Sequence, residues 1–156
     1  MTIQMSKKKS DVVELIESYM RWTSEAKWDR LIELYADDVV IEFPFALAGP
    51  KRLEGIGTIR QAYSVYDKGP MQMEVRIDNV VIHETTDPEV VIVEYDTDGR
   101  VTSTGRSFKA PNIQVMRVQA GRIVHSKGYH NDLIRAAATG MVQPMVAALT
   151  GEGPKA

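Results

Sequence analysis

Apolar residues in the first third of the chain recur with the period of a helix. One such stripe consists of Val12, Leu15, Ile16, Tyr19, Met20 and Thr23. Residues three and four apart share a helix face, so this spacing predicts an amphipathic helix with one buried side. Ser10 or Asp11 can cap its start, with Glu14 as the reciprocal capping-box partner. Two further helices are predicted over about residues 28–35 and 58–66.

The second half of the chain has the pattern of strands. Runs rich in β-branched residues occupy residues 71–83, 90–96, 107–118 and 122–129, with turn signals at Asp87-Pro88, Asp98-Gly99 and Ala120-Gly121. A shorter strand is predicted over residues 39–43, because Pro44 cannot donate to a sheet ladder and ends it. Asp37-Asp38 are expected to end the helix before that strand. A loop rich in glycine, proline and alanine follows to Gly57.

This order of elements predicts an α+β fold. Three helices precede an antiparallel set of strands and one alanine-rich helix follows them, so we expect a curved sheet wrapped over the helices. The chain has 156 residues, enough for one domain with a sizeable core. We therefore predict a disordered tail over residues 1–9, one domain over residues 10–140 and a C-terminal extension over residues 141–156.

Composition and charge exclude several classes of function. The chain is 44% hydrophobic and 26% charged, with a net charge of -2. This mixture leaves no basic field for nucleic acid or an anionic membrane, and the basic run at residues 7–9 is expected to be a solvated tail. Cysteine is absent, which excludes disulfides, thiolate metal sites and cysteine catalysis. No apolar run reaches the roughly 20 residues that span a bilayer. The N-terminus lacks the apolar core of a signal peptide, so we expect a cytoplasmic protein.

Polar residues cluster at the junction between the last strand and the last helix, in the run Tyr129-His130-Asn131-Asp132. His130 shares the strand parity of Gly128 and should face inward if Gly128 does. Histidine titrates near neutral pH, so we predict that His130 is a general acid or base, oriented by Asp132. The other interpretation is a histidine packed at the helix start, with Asn131 or Asp132 as the helix cap.

The remaining motifs offer little further chemistry. His83 and His125 stand among polar residues and are expected on the surface. No two histidines have metal-ligand spacing, so no metal site is predicted. The sequence has neither a glycine-rich phosphate loop after a strand nor a serine-nucleophile motif. We expect no cofactor.

Several short motifs stand in the order in which one superfamily has them. They are LYADDV at residues 34–39, GIGTIR at residues 55–60 and GRIV at residues 121–124. With them the chain resembles the nuclear transport factor 2-like superfamily, which includes ketosteroid isomerases and SnoaL-like polyketide cyclases, over roughly residues 10–140. ETTDP at residues 84–88, VEYD at residues 93–96 and Asn131 are similar to its phenazine-biosynthesis A/B branch. The resemblance implies a cone-shaped α+β barrel with an apolar pocket, and a homodimer.

The likeness to ketosteroid isomerases implies a role for Tyr19. In that family a tyrosine at this point donates a hydrogen bond to the substrate oxyanion. An apolar wall around the tyrosine strengthens this hydrogen bond. The alternative is a core tyrosine whose hydroxyl bonds to the backbone. The family's proton-shuttling aspartate precedes the proline, where this chain has Phe43, so that mechanism does not carry over. Glu42 is adjacent, but strand alternation sends it to the other face.

The phenazine branch implies two acid/base groups, and both are replaced here. Its helical histidine corresponds to Ala62, and its last-strand glutamate corresponds to Gly128. Phenazine formation by that route is therefore not expected. Gly128 would remove a side chain from the pocket wall and make room for a larger ligand.

One face of the strand over residues 107–118 carries Asn112, Gln114 and Met116 by alternation. The resemblance puts Gln114 near the isomerases' second oxyanion donor, and a glutamine amide can donate at any pH. The alternative places this face on the outside of the sheet. Predicted pocket residues are Phe43, Tyr63, Asn112, Met116 and Gly128. Tyr66, Trp22 and Trp28 are expected, like Tyr63, in the core or the pocket wall.

Two kinds of function remain open from the sequence. The first is a SnoaL-like isomerase, cyclase or dehydratase that acts without a cofactor on an apolar, oxygenated, fused-ring or similar small molecule. Proton transfer by His130, with Tyr19 and Gln114 as donors, would perform its chemistry. The second is a non-catalytic ligand-binding or assembly protein on the same fold, which the replacements at residues 43, 62 and 128 favour. A partner-binding module is a third possibility, and the mixed surface charge indicates no partner.

Overall fold

A computed structural model describes residues 9–68 and 73–152. Its helices are α1 (Asp11–Ser24), α2 (Trp28–Ile32), α3 (Ile56–Lys68), α4 (Asp132–Thr139) and α5 (Val142–Thr150). Its strands are β1 (Tyr35–Phe43), β2 (Lys51–Glu54), β3 (Met73–Glu84), β4 (Val90–Val101), β5 (Ser107–Gln119) and β6 (Arg122–Tyr129). Four predictions lie outside the described residues: the N-terminal tail apart from Lys9, the first two residues of the strand at 71–83, the side chain of Tyr66 and the last four residues of the chain.

The strands form one curved sheet in the order β2-β1-β6-β5-β4-β3. β1 and β6 run parallel, and the other neighbours are antiparallel. Helix α1 packs on β3, α3 on β1 and β2, and α4 on β5. The predicted α+β fold is confirmed, but the sheet is not closed into a barrel, since β2 and β3 form its two edges.

The first helix is built as its sequence predicts. The Ser10 hydroxyl accepts a hydrogen bond from the Val13 backbone N–H at 3.3 Å and caps α1. The apolar stripe turns inward, so Ile16, Tyr19 and Met20 are buried. Each large apolar side chain buried in this way contributes about 1.5–3 kcal/mol. The stripe therefore fixes the rotation of α1 and brings Tyr19 to the interior.

The segment after α1 differs from the prediction. Helix α2 ends at Ile32, and Tyr35 begins β1 instead of ending a helix. Tyr35 is paired with Ile123 of β6, and the Ile123 N–H donates to the Leu34 carbonyl at 2.8 Å. Asp37-Asp38 do not end a helix. They are exposed within β1, where the pairing with β6 is irregular. Long-range pairing therefore overrides the local helical pattern.

Two more predictions about strands and loops are wrong. Residues 51–54, expected in a loop, form β2 and pair with β1. The polar sequence of β2 is exposed almost throughout, so it has no apolar alternation to reveal it. Asp98-Gly99 is not a turn, because β4 continues to Val101 with Gly99 paired to Phe108 of β5. The turn itself follows at residues 102–106.

The predicted C-terminal extension contains α5. Helix α5 packs against α4 and has no buried residue. Val146 and Leu149 are exposed on it. None of the described helices combines the length and apolar character needed to cross a membrane.

Candidate functional site

A cavity of about 420 Å³ lies between the inner face of the sheet and the helices. Most of its wall is apolar or aromatic, including Met20, Trp28, Ile41, Phe43, Ile59 and Phe108. Polar side chains interrupt this wall, among them those of Tyr19, Tyr35, Tyr63, Tyr95, Asn112, Gln114 and His130 and the charged groups of Lys51, Asp132 and Arg135. Ligand sites typically have this size and a mainly apolar wall interrupted by polar groups.

Three tyrosines that line the cavity have their hydroxyls joined in a hydrogen-bonded chain. The Tyr35 hydroxyl donates to the Tyr19 oxygen at 3.2 Å, and it lies 3.2 Å from the Tyr63 oxygen. A phenol has one proton, so Tyr63 is the donor to Tyr35. Burial raises the pKa of Tyr35 well above its ordinary value, and its proton therefore stays in place. The chain runs in one direction, from Tyr63 through Tyr35 to Tyr19.

Gln114 joins this chain from the sheet. Its Nε2 donates to the Ser126 hydroxyl at 2.6 Å and to the Tyr19 oxygen at 3.4 Å. Its Oε1 accepts from the Tyr95 hydroxyl at 3.3 Å. The side chain borders the cavity as predicted, but both amide hydrogens have acceptors within the protein. The Gln114 amide therefore serves to orient Tyr19 and Tyr95 rather than to bind a ligand.

His130 lines the cavity from the junction before α4. Its ring lies against Phe43, with ring centroids 5.4 Å apart. Its Nε2 lies 3.1 Å from the Tyr95 hydroxyl. Burial, opposed by Asp132 and assisted by the positive charge of Arg135, lowers the pKa of His130 to about 4. The imidazole is therefore neutral at neutral pH.

The predicted partner of His130 is wrong. Asp132 does not orient the imidazole, because its carboxylate forms an ion pair with Arg135 at 2.6 Å. Tyr95 takes that position instead. The helix cap is Asn131, whose side-chain oxygen accepts from the Ile134 N–H at 3.4 Å.

Asn112 holds the strand-to-helix junction in place. Its Oδ1 accepts from the Asn131 backbone N–H at 3.0 Å. Its Nδ2 donates to the Thr97 hydroxyl at 3.0 Å and to the Ala110 carbonyl at 2.9 Å. Asn112 borders the cavity, and these three bonds tie the residue after His130 to the sheet.

Two predicted pocket residues do not lie on the cavity wall. Met116 is fully buried in the hydrophobic core, on the predicted inner face but away from the cavity. Gly128 does not enlarge the cavity either. A Cβ placed on it would lie 2.7 Å from His130 Nε2, so the imidazole already fills that space. The missing side chain at Gly128 accommodates His130 rather than a larger ligand.

The other predicted positions are divided between the two faces of the sheet. Phe43 and Tyr63 line the cavity, and Tyr63 stacks on Trp28 with centroids 5.4 Å apart. Glu42 faces the opposite side, as alternation predicts. Its carboxylate lies 2.7 Å from His125 Nε2, a bond that lowers the pKa of Glu42. His83 is paired with Glu94 at 2.6 Å on an exposed part of the sheet.

Sequence reasoning missed Tyr35, Tyr95 and Ser126. Tyr95 alternates with Val93 and Val91 on β4, and all three are buried. That alternation was a usable signal for an inward tyrosine. Tyr35 has no such signal, because its segment has the apolar spacing of a helix. Ser126 is fully buried and becomes recognisable only through its bond to Gln114.

Known proteins are similar to this chain in both sequence and fold. Residues 16–126 match the SnoaL-like domain family. The uncharacterised protein YesE of Bacillus subtilis is 31% identical over 129 residues, which cover 81% of this chain and 86% of YesE. An uncharacterised PhzA/B-like protein of Pseudomonas aeruginosa is 33% identical over 112 residues, covering 71% of this chain and 77% of that protein.

Solved structures extend the likeness. A Bacillus subtilis protein provisionally named an isomerase is 29% identical, with a TM-score of 0.76 over 84% of this chain and 94% of that chain. The predicted superfamily and branch are both confirmed. The chain belongs to the SnoaL-like domain family of the nuclear transport factor 2-like superfamily, next to its phenazine-biosynthesis A/B branch.

Proposed function

We propose that this protein catalyses proton transfer on an apolar, oxygenated small molecule, as an isomerase or cyclase that requires no cofactor. Tyr19 would donate a hydrogen bond to the oxygen that becomes negative, and His130 would move the proton. One observation carries the proposal: the Tyr19 oxygen accepts two hydrogen bonds inside the protein, which leaves its own proton for the cavity that His130 also lines.

The donor role of Tyr19 follows from proton counting. Its oxygen accepts from Tyr35 and from Gln114. Within the described residues its hydroxyl proton has no acceptor, while the side chain borders the cavity. Hydrogen bonds in a chain polarise one another, so the two incoming bonds strengthen Tyr19 as a donor. Fixed donors in a water-poor site stabilise a developing oxyanion most effectively.

The base role of His130 rests on its position. Ketosteroid isomerases place their proton-shuttling aspartate at the position of Phe43, and here the imidazole packs against that phenyl ring. His130 would thus bring a proton acceptor to nearly the same place from the junction between β6 and α4. Its pKa of about 4 keeps it unprotonated at neutral pH and makes it a weak base. The proposed substrate therefore has a C–H group that both a carbonyl and a neighbouring π system already make acidic.

The proposed reaction conserves all its atoms. His130 takes a proton from the carbon beside a ketone, and the C–H electron pair forms a carbon–carbon double bond. The carbonyl π pair moves to oxygen, where Tyr19 donates its hydrogen bond. Return of the proton to another carbon completes an isomerisation. In ring closure the enolate carbon attacks a second carbonyl, and His130 returns its proton to the alkoxide that forms. The apolar wall suits a fused-ring skeleton.

The test uses β-tetralone, a two-ring ketone with one doubly activated methylene. We expect the protein to accelerate its deuterium exchange in heavy water, followed by NMR. Tyr19→Phe should slow the catalysed exchange by about 10²–10³-fold, as loss of one oxyanion donor does. His130→Gln should slow it by about 10²–10⁴-fold. His83→Gln, which changes an exposed histidine, is the matched control and should leave the rate unchanged.

Binding of β-naphthol, a fluorescent phenol that resembles the enolate, provides a second readout. We expect Tyr19→Phe to weaken this binding and Tyr129→Phe, on the outer side near Phe45, to leave it unaltered. Catalysed exchange that persists undiminished in both Tyr19→Phe and His130→Gln would refute the mechanism.

A non-catalytic binding protein is the second candidate, and the low pKa of His130 favours it. The residues at positions 62 and 128 also lack the acid/base groups of the phenazine branch. Under this alternative, β-naphthol binds with the same dependence on Tyr19, but no activated ketone exchanges faster than in buffer. The two measurements together therefore separate a catalyst from a binder.

A further inference from the structure

We infer that Gln114, acting through Tyr95, holds His130 in the tautomer with its proton on Nε2, so that Nδ1 is the basic nitrogen facing the cavity. Gln114 and Tyr95 are then positioning residues, since they set the direction of hydrogen bonding without moving the proton themselves. The inference deepens the proposed function and, in its catalytic consequence, rests on it. The tautomer itself can be measured without any substrate.

The orientation of the Gln114 amide is the first step. Its Nε2 points toward the Ser126 and Tyr19 oxygens, and its Oε1 points toward Tyr95. The bond to Ser126, at 2.6 Å, is the shortest of the three. Ser126 is fully buried and Gln114 is 4% exposed, so water does not compete for either group. The carbonyl side of the amide is thereby directed at Tyr95.

Proton counting at Tyr95 is the second step. A carbonyl oxygen only accepts, so Tyr95 must use its single proton to donate to Gln114. Its oxygen can then only accept from His130 Nε2, 3.1 Å away. Burial raises the pKa of Tyr95, so the phenol keeps its proton throughout the ordinary pH range. The Nε2 of a neutral His130 must therefore carry hydrogen.

The third step concerns the other ring nitrogen. A neutral imidazole carries one proton, so Nδ1 has a free lone pair. Within the described residues Nδ1 has no hydrogen-bond partner, and no buried side-chain nitrogen or oxygen there lacks one. Nδ1 is therefore at an accessible surface, and His130 lines the cavity. Nδ1 is then the atom that would accept the substrate proton.

Gln114 can be tested with a matched pair of substitutions. Gln114→Glu retains an oxygen that accepts from Tyr95, whether or not the new carboxyl is ionised. Gln114→Met has nearly the same shape but only a weakly accepting sulfur, so the Tyr95 proton should turn to His130 Nε2. Long-range hydrogen–nitrogen NMR spectra of histidine-labelled protein distinguish the two tautomers at neutral pH. His83 and His125 serve as internal references in the same spectra.

We expect His130 to carry its proton on Nε2 in the wild type and in Gln114→Glu, and on Nδ1 in Gln114→Met. A merely structural role for Gln114 would destabilise the protein without switching the tautomer. A wild-type His130 protonated on Nδ1 would overturn the inference, and this result does not depend on whether a variant folds. Retention of the Nε2 proton in a folded Gln114→Met protein would overturn it too.

The outcomes distinguish this inference from the proposed function. If the tautomers follow the predicted pattern but no ketone exchange is catalysed, the proposed function fails and the hydrogen-bond assignment stands. If exchange is catalysed and depends on His130 while its proton is on Nδ1, the proposed function stands and the assignment fails. In the catalytic case, Gln114→Met should lower the exchange rate, because the cavity-facing Nδ1 then carries the proton.

Discussion

The imidazole of His130 lies directly over the bare backbone of Gly128. A Cβ at Gly128 would be 2.7 Å from His130 Nε2 and 3.0 Å from Cε1. Only a residue without a side chain leaves this space to the ring. Gly128 and His130, both predicted site residues, thus form one structural unit, in which the glycine makes the inward position of the histidine possible.

Gly128→Ala should therefore displace His130 without unfolding the protein. The new methyl group would meet the end of a side chain that can rotate away, and alanine is compatible with a strand. We expect a change of less than about 1 kcal/mol in the free energy of unfolding, within the range of mild substitutions. Ketone exchange should fall nearly as far as in His130→Ala, because the ring leaves Tyr95 and the cavity wall.

A double-mutant cycle checks the cause. In a His130→Ala background the imidazole is gone, so adding Gly128→Ala should have no further effect on exchange or β-naphthol binding. Additive losses would instead mean that Gly128 acts on the site by another route.

Removal of the Tyr35 hydroxyl should weaken both the fold and the site. Tyr35→Phe removes a buried group that is bonded to Tyr19 and Tyr63 at 3.2 Å each. We expect a loss of about 1–3 kcal/mol in the free energy of unfolding, because the Tyr19 and Tyr63 hydroxyls each lose a hydrogen bond that water cannot readily replace. Affinity for β-naphthol should fall, but less than in Tyr19→Phe, because Tyr19 keeps its own proton. Urea unfolding and fluorescence titration measure the two effects, and Tyr129→Phe is the control.

Stability should decline in acid partly through His130. Its pKa is about 4 in the folded protein, against 6.5 as the ordinary value. The unfolded chain therefore binds the proton first as the pH falls from 6.5 to about 4, and folding loses free energy over that window. The loss amounts to roughly 3 kcal/mol at about 1.4 kcal/mol per pKa unit.

His130→Gln isolates this contribution from that of the carboxylates. The wild type should lose stability relative to the variant between pH 6.5 and about 4, and the difference should level off below that range. If the difference in free energy of unfolding between the two proteins stayed constant across the whole pH window, His130 would titrate normally and the prediction would be wrong.

The Phe108 wall of the cavity depends on Gly99. A Cβ on Gly99 would overlap the Phe108 ring, which covers the glycine from the paired strand. Gly99→Ala should force the ring to move, costing about 1–3 kcal/mol of stability as overpacking does, and should change the affinity for β-naphthol. Gly57→Ala is the matched control, since no atom lies within 4 Å of its Cβ position in α3. It should leave the affinity unaltered and be neutral or slightly stabilising.

The sequence by itself determined the features whose causes are local. Ser10 and the apolar stripe set α1 and turn Tyr19 inward. Ala120 and Gly121 both have positive φ and close the predicted turn between β5 and β6. Alternation on β5 correctly predicted that Asn112 and Gln114 face the interior, where both are buried. Each of these results depends on residues only a few positions apart.

Only the tertiary structure decided how the polar groups of the site are connected. Gln114 bonds to Tyr19, 95 positions away in the sequence, and to Tyr95, 19 positions away. No local sequence pattern predicts contacts between residues so far apart. His130 bonds to Tyr95 and not to the nearby Asp132, because Arg135 neutralises that carboxylate one helical turn away. Tyr35 became a strand residue because its pairing with β6 outweighs a weak helical preference. Hydrogen-bond direction and the space available to a ring depend on which distant segments pack together, so they emerge only when the chain is folded.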